Sequence, residues 1–137
     1  MNVLLINVPV AFNSFENLEP PLGISYMASV LRKHGHNPSL KDYEVEEFDA
    51  EAFKKLITDE RPEIIGISSR TASYKRSKEL TELIKDTNEK ICVVLGGHHV
   101  TVFDTQTMDE SRADIVVRGE GETVMLDIAE VLNGTMD

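Results

Sequence analysis

Val3-Leu4-Leu5-Ile6-Asn7-Val8 holds five apolar side chains in six positions, with no alternation of apolar and polar residues. A strand with one wet face alternates, whereas a strand covered on both faces reads as a continuous apolar run, so this stretch predicts a buried strand of a parallel sheet. Three later runs read the same way: Glu63 to Ser68, Ile91 to Leu95 and Asp114 to Val117. A fifth, Pro38 to Tyr43, is weaker and more polar, and is expected at a sheet edge.

Helical patterns separate the runs. Ile24, Met27, Ala28 and Leu31 recur at i, i+3, i+4 and i+7, with Pro20-Pro21 leading in and Gly35 at the expected C′ position. Asp49 is a good N-cap for a second helix, with Phe48 and Phe53 at the two positions of a hydrophobic staple and Leu56 and Ile57 extending the stripe. Leu80, Leu83 and Ile84 predict a third helix between roughly Ser73 and Thr87. Val124, Met125, Ile128 and Val131 or Leu132 predict a last one, closed by Gly134. Thr101 to Ser111 is expected to contain a short helix. Strands alternating with helices define an α/β fold: a flavodoxin-like (Rossmann-like), doubly wound, five-stranded parallel sheet of order 2-1-3-4-5, in three α/β/α layers.

The totals fit one domain over residues 1–137, with 41% hydrophobic residues to build a core. Fourteen Lys and Arg against 24 Asp and Glu leave a net charge of −10, which argues against a nucleic-acid or anionic-membrane partner. The N-terminus lacks a basic n-region and no apolar run reaches the ~20 residues of a membrane span, so a cytoplasmic protein is expected. Cys92 lies inside an apolar run and reads as a core thiol.

In open parallel sheets the ligand sits outside the carboxyl ends of the strands, and the loops there are unusual. They are Pro9 to Pro21, Ser68-Ser69-Arg70-Thr71-Ala72-Ser73, Gly96-Gly97-His98-His99 and Arg118-Gly119-Glu120-Gly121-Glu122. Glycines at strand ends admit a ligand close to the backbone, and hydroxyls supply adaptable hydrogen bonds. Each loop also has an ordinary role: turning the chain, capping the third helix or opening the last. Asn7-Val8-Pro9-Val10-Ala11 is not the Gly-x-Gly-x-x-Gly turn of a dinucleotide site, and no P-loop exists. Asn7, Ser68 and Arg118 stand where a phosphoacceptor receiver needs acidic residues, an Asp and a Lys, and Pro9 to Phe12 does not resemble a flavin phosphate loop.

Several stretches, in order and at their separations, carry a family resemblance: Leu4 to Pro9, Pro20-Pro21-Leu22-Gly23 with the following helix to His36, Gly66 to Ser69, Val94 to His99, and Asp114 to Glu122. The chain resembles the N-terminal cobalamin (B12)-binding domain of B12-dependent radical SAM proteins, a group that includes anaerobic magnesium-protoporphyrin IX monomethyl ester cyclase-like enzymes and methylases. The resemblance implies a module that presents cobalamin to a radical SAM domain beyond this chain, where S-adenosylmethionine and a 4Fe-4S cluster would be held. The fragment alone is expected to be inactive.

Carried over by position, Ser68, Ser69 and Thr71 would line the groove for the nucleotide tail. Gly96, Gly97 and His99 would border the dimethylbenzimidazole or its phosphate, and Gly119, Glu120 and Gly121 would close the edge; Pro9 would join from the first loop. No catalytic or metal-ligating residue is assigned. The Asp-x-His-x-x-Gly motif of methionine synthase-type cobalamin domains is absent, which leaves the lower axial ligand open, and Cys92 alone cannot supply Cys-x-x-x-Cys-x-x-Cys. An alternative keeps the fold without the ligand, as a docking domain for the radical SAM barrel; a stand-alone enzyme using His98 or His99 with Glu120 is a third class.

His98 and His99, read as extended chain, would point to opposite sides, with His99 the one nearer the cofactor. His34 and His36, flanking Gly35, are expected to cap the first helix. Glu44, Glu46, Glu47, Asp49 and Glu51 read as a solvated loop.

Overall fold

The computed structural model describes residues 1–15 and 19–136. Five parallel strands form one sheet: β1 (Asn2–Asn7), β2 (Asn37–Asp42), β3 (Ile64–Ser68), β4 (Cys92–Gly96) and β5 (Ile115–Val116), in the order β2-β1-β3-β4-β5. The sequence predicts this order, and the polar strand β2 is at an edge as its composition requires.

The unalternating runs serve two cores. Leu4, Ile6, Ile65, Ile67, Val93 and Leu95 face one helical layer with Phe53, Leu80 and Ile84, from α2 (Ala50–Glu60) and α3 (Tyr74–Thr87). Val3, Leu5, Ile64 and Val94 face the other, with Ile24, Ala28 and Leu31 of α1 (Leu22–Lys33) and Met125 and Ala129 of α6 (Glu122–Leu132). Val3 to Ile6 are at most 1% exposed, which is why all four must be apolar.

Local signals hold where they have a mechanism. Asp49 accepts from the Ala52 N–H at 2.7 Å, and the Phe48 and Phe53 rings lie 5.9 Å apart. Gly35 (φ 86°) ends α1 in a Schellman motif: its N–H donates to Arg32 O and that of His36 to Leu31 O, both at 3.1 Å. Gly134 ends α6 in the same way, through Gly134 N–H to Val131 O and Thr135 N–H to Glu130 O. Phe12 stacks on Phe48 at 4.0 Å and packs edge-on to Tyr43 at 5.9 Å, which pins the loop after β1 to the start of α2.

Several expectations are corrected. The short helix expected within Thr101 to Ser111 is present as α5 (Asp104–Glu110), but another, α4 (His98–Val102), begins at His98, so the histidine pair is helical and not extended. The stripe of α6 is rotated: Met125 and Ala129 are buried, an i, i+4 pair, while Val124, Val131 and Leu132 are 37%, 47% and 49% exposed. His34 Nδ1 lies 2.9 Å from Val30 O, as a cap should, but the His36 ring is buried and its Nε2 is 3.0 Å from Glu130 Oε1 on α6. Glu44 is not solvated; it is buried and paired with Arg70. A short 3-10 turn, Thr71–Ser73, precedes α3. Cys92 is half-buried, and burial pushes its thiol upward, which disfavours the reactive thiolate.

Candidate functional site

A cleft of about 440 Å³ opens at the carboxyl ends of the strands, between the N-terminal turns of α1 and α6. Its floor is a row across the sheet: the registers pair Leu5 with Gly66 and Gly66 with Val94. Ile24 and Met27 of α1, and Met125 of α6, stand over that row. The mouth is polar, with Ser68, Arg70, His98, Thr101, Glu120 and Glu122.

Gly66 lets Met125 settle onto the sheet. A Cβ there would lie 2.7 Å from the Met125 terminal methyl and 2.9 Å from Leu5 Cδ2, so the glycine in an otherwise branched strand leaves room that a flexible thioether covers. Gly121 does the same at the mouth, where a Cβ would lie 2.9 Å from the Met27 methyl. Six of the chain's eight glycines line this cleft, namely Gly23, Gly66, Gly96, Gly97, Gly119 and Gly121. The other two, Gly35 and Gly134, terminate helices.

The loops at the mouth brace one another. Gly97 has φ 107°, and a Cβ on it would stand 2.9 Å from Ser69 N and closer still to Ser69 O. The absent side chain lets the β3 and β4 loops cross: Ser69 N–H donates to Gly96 O at 2.8 Å, and His99 N–H to Ser69 O at 3.3 Å. Thr101 then links two loops, its hydroxyl donating to Gly97 O at 3.1 Å and accepting from the Gly119 N–H at 2.9 Å. Arg118 Nε lies 3.3 Å from Asp104 Oδ2 and leans away toward α5.

Of the residues assigned from sequence, Ser68, Gly96, Gly97, Gly119, Glu120 and Gly121 line the cleft. The other four do not. Ser69 is fully buried beneath Gly97 and acts as a backbone brace. Thr71 is exposed at the start of the 3-10 turn, with Oγ1 3.4 Å from His99 Nδ1. Pro9 is buried beside a smaller cavity of about 130 Å³ next to Arg70, which borders both spaces.

His99 faces away from the cleft. Its ring stacks on Tyr74 at 3.9 Å and packs on Phe103 at 4.9 Å, and its Nε2 is buried without a hydrogen-bond partner among the described residues. Burial holds its imidazole below the ordinary 6.5, and Glu110 pulls the other way. His98, one position earlier on α4, lines the cleft instead.

Sequence reasoning missed Gly66, Met27, Met125 and Thr101. Gly66 carried a signal, as a glycine inside a branched strand marks close approach or missing bulk; the two methionines read only as helix core. A second groove, of about 630 Å³, lies at the amino ends of the strands among Arg61, Lys90, Ile91 and Leu132. It is larger but more open, and no strand-end loop converges on it. No group of His, Cys, Asp and Glu among the described residues could hold a metal ion. No helix among them is long and apolar enough to cross a membrane.

A doubly wound α/β sheet with glycine-rich loops gathered on a cleft at its carboxyl edge defines a small-molecule-binding domain. Comparison with known proteins gives the particular family. Residues 8–129 match the B12 binding domain, and the chain belongs to that family. An uncharacterized methyltransferase of Pyrococcus horikoshii is 35% identical over 115 residues, covering 83% of this chain and 25% of that protein. The anaerobic magnesium-protoporphyrin IX monomethyl ester cyclase of Rubrivivax gelatinosus is 29% identical over 116 residues, covering 83% of this chain and 21% of the cyclase. The chain thus spans about a quarter or less of the length of these relatives. The fold matches the cobalamin-dependent S-adenosylmethionine radical enzyme OxsB, solved with aqua-cobalamin and S-adenosylmethionine bound, with a TM-score of 0.85 at 22% identity, over 99% of this chain and 19% of OxsB. An atypical orphan response regulator shares the fold more loosely, with a TM-score of 0.63 at 15% identity, over 96% of this chain and 93% of the regulator.

Proposed function

We propose that the cleft seats the nucleotide end of cobalamin, and that the chain is the N-terminal part of a longer cytoplasmic protein whose radical SAM domain faces the bound cofactor. The observation that carries this reading is the gathering of six of eight glycines around one cleft in a member of the B12 binding family. A cleft of about 440 Å³ suits part of a corrinoid, with the macrocycle left on the rim.

The residues present fit such a ligand. Gly66 and Gly121 are covered by the terminal methyls of Met125 and Met27, flexible thioethers that can give way to a ligand, and Leu5, Ile24 and Val94 give an apolar floor for a ring. The N-terminal turns of α1 and α6 both open on the mouth, where free backbone N–H groups and the positive dipole ends favour a phosphate. Ser68 and His98 supply hydrogen-bonding groups for ribose and amide substituents. Such a ligand needs no basic funnel, so a net charge of −10 is no obstacle. Leu22, beside Gly23, and Val102, beside Thr101, are 74% and 70% exposed and give the rim apolar surface.

Bound cobalamin supplies a cobalt centre able to carry a methyl group. The chain's own residues bind and orient the cofactor; S-adenosylmethionine and the 4Fe-4S cluster belong to the downstream domain, which also meets the substrate. The test is to mix the chain with hydroxocobalamin and desalt it. A coloured complex of one cobalamin per chain is expected, and a colourless protein with no calorimetric binding overturns the reading. For the longer protein, Cys-x-x-x-Cys-x-x-Cys is expected in the sequence that follows Asp137.

A further inference from the structure

The deep end of the cleft offers nothing to a hydrogen-bonding group. Leu5, Gly66 and Val94 lie two residues inward of the row Asn7, Ser68, Gly96, about 7 Å deeper by the rise of a parallel strand. In that inner row the backbone N–H and C=O groups are engaged in the sheet, since β1, β3 and β4 all have partners on both sides. The side chains around it, from Leu5, Ile24, Val94, Val117 and Met125, present only carbon and one thioether sulfur. Every polar group lining the cleft stands at the mouth, where water reaches it.

We propose that this dry floor makes the domain selective among corrinoids, favouring those whose lower base is an apolar benzimidazole over those whose base carries an amino group, with Gly66 and Met125 as the residues that set the preference. The inference rests on the reading that the cleft seats the nucleotide end. An exocyclic amine pushed onto this floor loses its bonds to water and gains none, a loss worth roughly tenfold to a hundredfold in affinity. A dimethylbenzimidazole has only methyl groups at the corresponding edge. The Met125 methyl, lying over Gly66, is unbranched and adapts to the contour of an apolar ring.

The test compares three corrinoids by calorimetric titration of the chain: cobalamin, the analogue carrying adenine in place of dimethylbenzimidazole, and cobinamide, which lacks the nucleotide. Cobalamin is expected to bind about tenfold or more tightly than the adenine analogue. Met125→Gln, which puts an amide on the floor, should narrow that ratio severalfold, whereas Met125→Leu should retain it. Gly66→Ala, whose Cβ pushes the Met125 methyl off the floor, should weaken cobalamin severalfold more than cobinamide. Equal binding of cobalamin and the adenine analogue by the wild-type chain overturns the preference while leaving the proposed function standing. A chain that binds none of the three overturns the proposed function and this inference together.

Discussion

Gly97 is under two constraints at once. Its φ of 107° lies where L side chains rarely go, and the Ser69 backbone occupies the place of a Cβ. Gly119, with φ 75°, has the first constraint but faces open space. Gly97→Ala is therefore expected to destabilise the chain by about 2 kcal/mol or more, and Gly119→Ala by about 1 kcal/mol. Urea unfolding of the two variants checks the order; equal losses would show that the crossing of the β3 and β4 loops does not constrain Gly97. His99 couples the stability of this region to pH. Its native pKa lies below its unfolded value, so between the two the unfolded chain binds more protons, and its contribution is full above 6.5 and lost as pH falls through the window below. His99→Phe keeps a ring beside Tyr74 and removes the titration. Its stability relative to wild type should be constant well above 6.5 and should improve as pH falls below it. Parallel stability curves would contradict the burial of a neutral imidazole.

At the scale of elements, the sequence was readable wherever a short-range rule has one physical meaning. The Asp49 cap, the Phe48–Phe53 staple and the Gly35 terminator each state a backbone requirement within a few residues, and each is met. Asp49→Ala should cost about 1 kcal/mol, measured by thermal or urea unfolding, because the Ala52 N–H loses its acceptor at the start of a helix that buries Phe53. The misreadings share a cause: they turn on partners far away in sequence. Glu44, just after β2, meets Arg70, just after β3, and His36, just before β2, meets Glu130 of α6, contacts between segments far apart in sequence that no local pattern encodes. The face of α6 was misplaced because Val124, Val131 and Leu132 are as apolar as the residues it buries. His98 and His99 exchanged roles because the turn into α4 starts at His98, so the two rings diverge around a helix.

For the whole molecule, the strand order was legible because right-handed crossovers leave few arrangements for five buried parallel strands, and the carboxyl edge followed from it. The rim of the cleft was legible too, through its glycines and Ser68. Its floor was not, since Gly66, Met27 and Met125 come from three elements and only their packing makes a slot. If cobalamin enters this slot, the glycines themselves report on it. Their amide signals in a nitrogen-15 correlation spectrum, followed as hydroxocobalamin is added, should shift for Gly23, Gly66, Gly96, Gly97, Gly119 and Gly121, while Gly35 and Gly134, at the far ends of α1 and α6, stay in place. Shifts confined to Gly35 and Gly134, or a spectrum unchanged at saturating cobalamin, would contradict it.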